Sequence, residues 1–127
     1  MKTRKALILL GAGILFSSLF LACETAPAAP ITNAAGVAVS GTATGSAPSY
    51  GGEATVTLTV VDGFITEVVA SAPHDTAMFS GPVLNRAPTD MIRFNTPEMD
   101  IVSGATVTSM AINQAARAAL EEIIANQ

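Results

Sequence analysis

The most regular pattern in the chain lies between residues 53 and 69. Within Glu53–Val61, Ala54, Val56, Leu58 and Val60 alternate with Thr55, Thr57 and Thr59. A period of two puts apolar side chains on one face of a strand and hydroxyls on the other. A sheet built this way is expected to be covered on one side only. Asp62-Gly63 separates this run from Phe64-Ile65-Thr66-Glu67-Val68-Val69. Asp-Gly accepts the positive φ angles of a type I′ turn, so the two runs predict a tight antiparallel hairpin. Upstream, Val37 and Val39 alternate with small residues in GVAVSGTATGSAPSYGG. That alternation predicts a further short strand, ended by the Gly/Ser/Pro/Tyr turn.

Towards the C-terminus the period lengthens. Ile112, Ala116, Ala119, Leu120 and Ile123 form one apolar stripe at helical spacing, with Asn113, Arg117 and Glu121 on the opposing side. A helix is expected from Ser109 to the end, with the hydroxyl of Thr108 or Ser109 capping its first amides. Between hairpin and helix, Pro73, Pro82, Pro88 and Pro97 interrupt the chain. Loops and one or two short helices are expected there, one of them near Asp90–Asn95. No internal repeat is present, and 127 residues suit one domain. The fold class is therefore α+β: a small antiparallel sheet with a hairpin, an irregular middle segment, and a C-terminal helix packed on the sheet.

The N-terminus has a different character. Lys2, Arg4 and Lys5 precede an uncharged run from Ala6 to Ala22, the n-region and h-region of an export signal. The run is short for a membrane-spanning helix and ends Leu19-Phe20-Leu21-Ala22-Cys23, with the only cysteine of the protein. This resembles the bacterial lipoprotein signal, although Phe20 stands where a Leu is usual. Residues 1–22 are read as a signal peptide, Cys23 as its lipidation site, residues 23–35 as a flexible tether rich in Ala, Pro and Thr, and 36–127 as the domain. The protein is then expected outside the cytoplasm, anchored to a bacterial membrane through lipid on Cys23.

Composition narrows the function further. Half of the residues are apolar but Trp is absent and Tyr occurs once, which predicts a core of small side chains. The net charge is −4, and loss of residues 1–22 would leave three basic residues against ten acidic ones, or −7. Arg86, Arg93 and Arg117 cannot form the basic footprint that nucleic-acid binding needs, so no nucleic acid is expected as a partner. One Cys and one His are too few for a zinc or iron–sulfur site, and no metal is expected. Met78, Met91, Met99 and Met110 are read as core filling or pocket walls.

Attention then falls on Asp100-Ile101-Val102-Ser103-Gly104-Ala105-Thr106-Val107-Thr108-Ser109. The stretch is dense in hydroxyls, precedes a helix N-terminus, and contains no base, thiol or cation. Free amides and the helix dipole favour a phosphate there. Ser103, Thr106, Thr108 and Ser109 offer hydroxyls, and Gly104 and Ala105 let a ligand approach the backbone. None is an activated nucleophile, since no His or Lys is near in sequence. No residue is assigned a catalytic role.

This decapeptide resembles the flavinylation motif of the FMN-binding domain family: an acid, two variable residues, Ser or Thr, then Gly-Ala-Thr. That family includes the flavin-carrying subunit of the sodium-pumping NADH:quinone reductase and its ferredoxin-driven homologue. The resemblance covers about residues 36–125 and takes in Tyr50-Gly51-Gly52, the hairpin with Asp62-Gly63-Phe64-Ile65, and His74-Asp75-Thr76. Ala77-Met78 stands where the family usually has Pro-Gly. It implies FMN joined covalently by a phosphoester to Thr106, installed from FAD by a separate flavin transferase that recognises Asp100, with His74 near the flavin. It also implies an electron-transfer module served by redox proteins of the membrane or cell envelope. The alternatives are an FMN-dependent reductase of a small acceptor and a structural or interaction lipoprotein without flavin.

Overall fold

A computed structural model of the chain describes residues 28–127. The proposed signal sequence and Cys23 lie outside the described residues. Among the described residues no helix is long and apolar enough to cross a membrane.

Three antiparallel strands form one sheet in the order β1-β2-β3: β1 is Gly41–Pro48, β2 is Glu53–Val61 and β3 is Phe64–Ser71. Ala54, Val56, Leu58 and Val60 are buried, as their alternation requires, while the threonines between them stay partly open. On that open face Thr44 and Thr57 share a 2.7 Å hydroxyl bond, and Thr42 donates to Thr59 at 3.2 Å. The hairpin turn has the expected geometry, with φ of 51° at Asp62 and 84° at Gly63 and Val61 directly opposite Phe64. β1 starts later than its apolar pattern suggests, because Val37 and Val39 precede it. Its buried positions are instead Ala43, Gly45 and Ala47.

Two helices cover the apolar face. α1 is Ala77–Phe94 and packs on β3; α2 is Thr106–Ala125 and packs across β1 and β2. The middle segment thus departs from the expectation of loops and short helices, since α1 runs for 18 residues through Pro82 and Pro88. Each proline removes the donor for the carbonyl four residues earlier, a local cost of about 3 kcal/mol. Against this, Ser80, Val83, Ala87 and Met91 recur at helical spacing and bury one continuous stripe. Burial of the stripe outweighs the breaks, and Pro82 lies on the exposed side.

Asn95 ends α1 in a left-handed conformation (φ 50°). Its buried amide joins three segments: Oδ1 accepts from the Ile65 amide at 2.8 Å, and Nδ2 donates to the carbonyls of Gly63 and Ala29, each at 2.9 Å. The end of the stretch expected as a tether is held down with it. The Ile31 amide donates to the Gly63 carbonyl at 2.7 Å, and Thr32 bridges Ala38. The folded unit therefore begins ahead of residue 36.

α2 begins three residues before the expected start and buries a wider face than one stripe, including Thr108, Ser109 and Asn113. Asn113, expected on the polar side, is buried and clamps the backbone of Met99, accepting from its amide at 2.9 Å and donating to its carbonyl at 3.0 Å. The face is wide because α2 lies almost on the backbone of β1. A Cβ at Gly45 would stand 2.0 Å from the Ala115 carbonyl oxygen and 2.6 Å from the Ala119 nitrogen. Alanines on α2 and a glycine on β1 together set this spacing, which lets a core with few large side chains pack closely.

Because backbone cannot yield to a new side chain there, Gly45→Ala is expected to lower stability by about 3 kcal/mol or more. Urea unfolding of the two proteins checks this, and equal midpoints would mean that the helix–strand spacing is not fixed at Gly45.

Candidate functional site

The site forms where three chain segments meet at the N-terminal end of α2. Ser49 to Gly52 turn from β1 into β2, His74 to Thr76 lead from β3 into α1, and Val102 to Ala105 lead into α2. The first two segments touch backbone to backbone, since a Cβ at Gly51 would lie 1.9 Å from the His74 carbonyl oxygen. Only glycine allows that approach.

Asp75 binds the three segments together. One carboxylate oxygen accepts from the Gly51 amide at 2.7 Å; the other accepts from the Thr108 hydroxyl at 2.6 Å and from the Ser49 hydroxyl. Partial burial pushes the Asp75 carboxyl up. The bonds from Ser49 and Thr108 and from the backbone of Gly51 and Tyr50 outweigh this and hold it below the ordinary value of 3.8. The group is a fixed anion at neutral pH.

A cleft of about 400 Å³ opens beside this junction. It is lined by Tyr50 of the β1–β2 turn, by Asp75, Thr76 and Phe79 at the start of α1, and by Gly104 to Thr108 at the start of α2. The first helical bond of α2 runs from the Ser109 amide to the Ala105 carbonyl at 2.9 Å, and no side chain caps the helix. The amides of Thr106, Val107 and Thr108 therefore lack acceptors within the helix and face the cleft end. Thr106 is the first helical residue and is exposed, following Gly104 at φ 82°.

The structure sorts the residues expected from sequence. Gly104, Ala105, Thr106 and Thr108 line the cleft together. The proton of the Thr108 hydroxyl goes to Asp75, so this residue presents its amide, not its hydroxyl, to a phosphate. Ser109 is fully buried and faces the loop interior, donating to the Ala105 carbonyl at 2.8 Å and accepting from the Val102 amide at 3.1 Å. It supports the loop's shape and is not available as a ligand. Neither hydroxyl caps the helix, contrary to expectation, because α2 starts ahead of both. Ser103 is exposed but does not line the cleft.

Asp100 is likewise outside the cleft. Its side chain is 89% exposed and lies 3.5 Å from Arg86, which also bonds Asp90 at 2.8 Å. An exposed acid six residues before Thr106 is accessible to another protein. His74 stays off the cleft too: its ring borders Gly52, and its carbonyl packs on Gly51. The residue of that segment which reaches the cleft is Asp75. The sequence pattern brings Tyr50, Asp75, Thr76 and Val107 into the resemblance without a role at the site, singles out His74 instead, and gives no sign of Phe79. The available signal was an acid between a Gly-Gly turn and a hydroxyl-rich helix start, two places with unpaired donors for a carboxylate to collect.

The residues present fit FMN. A phosphate on Thr106 would meet free amides and the positive end of a helix dipole. Tyr50, Phe79 and Val107, exposed by 79%, 51% and 50%, offer apolar area at the cleft for an aromatic ring system. The cleft volume lies within the range of about 300–1,000 Å³ usual for such ligands.

The depressed carboxyl at Asp75 makes stability depend on pH. Its ionised form is favoured by folding, so its contribution is complete above the unfolded value of 3.8 and is lost as pH falls through the lower folded value. Asp75→Asn is expected to cost about 2 kcal/mol near neutral pH. Denaturant titrations from about pH 6 down to about pH 2 should show this gap from wild type shrinking below about pH 4. A gap that stays constant would show that the carboxylate charge is not what the junction uses.

A model of the FMN-binding domain matches residues 49–121, more than half of the chain and all of the residues that line the cleft. A comparison with the curated proteins found no match. The match, the apolar cleft and the uncapped amides beside Thr106 agree: the chain belongs to the FMN-binding domain family, and its cofactor is FMN.

Proposed function

We propose that this protein is an extracytoplasmic electron-transfer flavoprotein, anchored by lipid on Cys23, whose FMN is held as a phosphoester on Thr106. One observation carries the reading. The Thr106 hydroxyl is exposed at the mouth of an apolar cleft, beside amides that lack partners within the helix. Bound FMN supplies reversible acceptance and release of electrons.

The chain's own residues would divide the remaining tasks. Thr106 anchors, and the amides of Val107 and Thr108 bind phosphate oxygens. Tyr50 and Phe79 shelter the ring on one wall and Val107 on the other. Attachment would join Thr106 Oγ to the FMN phosphorus of FAD and break the pyrophosphate bond. AMP leaves, and the hydroxyl proton departs with it. The single carboxylate lining the cleft, Asp75, already accepts from Ser49, Gly51 and Thr108. It is not poised to take that proton, so the base and metal belong to a flavin transferase, with the exposed Asp100 as its recognition point.

Relay between proteins suits this site better than turnover of a small substrate. Tyr50, Phe79 and Val107 are half or more exposed, so a ring against them is reachable by a docking protein. The surplus of acids favours partners with basic faces. The signal-like residues 1–22 and Cys23 support the location, and a covalent bond keeps the cofactor where a dissociated one would diffuse away.

The intact mass of the full-length chain after co-expression with a flavin transferase tests the assignment. Wild type is expected to gain one FMN-sized increment that survives denaturation, and Thr106→Ala to gain none. An equal gain in both, or none in wild type, would defeat it.

A further inference from the structure

We propose that Asp75 is a potential-setting residue: a fixed negative charge in the cleft wall that makes the bound flavin harder to reduce. The inference rests on the reading under Proposed function, since it requires FMN in this cleft.

Asp75 and Thr106 line the same cleft, and Thr108, in the first turn of α2 with Thr106, donates to the Asp75 carboxylate at 2.6 Å. A flavin esterified to Thr106 would be tethered at the cleft that this carboxylate also lines. The carboxylate itself is held in place, because three donors from two other segments, the β1–β2 turn and the first turn of α2, bond its two oxygens. Those donors are neutral, so the charge is solvated by dipoles without being cancelled.

No cation balances it among the described residues. Arg86 is occupied with Asp90 and Asp100, Arg117 with Glu98, and Arg93 lies over the Phe94 ring at 5.2 Å. None of the three lines the cleft. The bonds that hold the carboxyl below its ordinary range also keep it ionised at neutral pH.

The effect on the flavin follows from charge balance. Near neutral pH its reduction takes two electrons from a reduced carrier protein and one proton from solvent, leaving the ring with one additional negative charge. A neighbouring anion opposes that gain. The hydrogen-bonded junction thus serves two purposes with the same group: it shapes the cleft, and it biases the cofactor towards donating electrons.

Redox titration of the flavinylated full-length protein, with dithionite and mediators, separates these roles. Asp75→Asn is nearly isosteric and removes the charge. Its reduction equilibrium should move about tenfold towards the reduced flavin, roughly 30 mV upward for a two-electron couple. Asp62→Asn removes the same charge from the β2–β3 turn, at the far end of the sheet, and should leave the potential unchanged. Ser49→Ala removes one bond to Asp75 but no charge, so it should lower the unfolding temperature without moving the potential. Thr76→Lys adds a positive charge at the cleft wall outside the junction, and should raise the potential even if Asp75→Asn does not fold.

A wild-type potential in Asp75→Asn overturns the proposal. So does an equal shift in Asp75→Asn and Ser49→Ala, which would reduce Asp75 to a structural role, or no response to Thr76→Lys. A wild-type protein that takes up no flavin is a different result, read from its mass, and it removes the Proposed function together with this inference.

Discussion

Everything at the functional end of this domain depends on one carboxylate. Asp75, in the connection from β3 to α1, collects donors from the β1–β2 turn and from the first turn of α2. Each of these segments would otherwise expose a polar group with nothing to pair. The Gly51 amide lies in a turn that no strand continues, and Thr108 lies in a helix turn with no cap. A single anion satisfies both and converts three loose connections into the rigid rim of a cleft. Charge-assisted bonds are worth more than neutral ones, which is why a small domain can hold three segments with one side chain.

That junction works only because the rest of the fold brings its parts to one end. β1 and β2 reach the rim through the Ser49–Gly52 turn, while α2 lies close enough along β1 that Gly45 meets the backbone of Ala115. The glycine sets the height of α2 over the sheet, and so the place where its N-terminus and Thr106 emerge. At the opposite end Asn95 and the Asp62-Gly63 turn close the sheet against α1 and the segment around Ile31. Each end is tied by one polar side chain: Asp75 is half-buried and bonds one amide and two hydroxyls, whereas Asn95 is buried and bonds backbone groups alone. The first leaves an opening and the second does not.

Much of this was legible from the amino-acid order. The hairpin could be read because alternation and Asp-Gly point to the same answer. The helix at the C-terminus could be read because its apolar stripe is long. The segment with Pro82 and Pro88 could not, because local rules count the missing donors while the stripe Ser80, Val83, Ala87, Met91 pays off only once β3 lies against it. The start of α2 was misplaced for a related reason: Thr108 and Ser109 look like caps, yet their hydroxyls are drawn to Asp75 and the Ala105 carbonyl. At the site, Thr106, Gly104 and Ala105 were found from the motif, whereas Asp75 and Phe79 reach the cleft only through tertiary placement. His74 was the more conspicuous residue and is the one turned away.

A cleft shaped in advance of its cofactor explains how a segment without catalytic groups takes part in redox function. In the proposed reading the chain contributes a hydroxyl, free amides, aromatic residues and a fixed charge, while attachment chemistry and electrons would come from other proteins. A crystal structure of the flavin-loaded protein tests this most directly. The phosphate should sit on Thr106 within hydrogen-bond reach of the amides of Val107 and Thr108, with the ring between the Phe79 and Val107 walls and Asp75 still bonded to Ser49, Gly51 and Thr108. A ring lying outside the cleft, or an Asp75 junction dissolved by the loaded cofactor, would contradict the account.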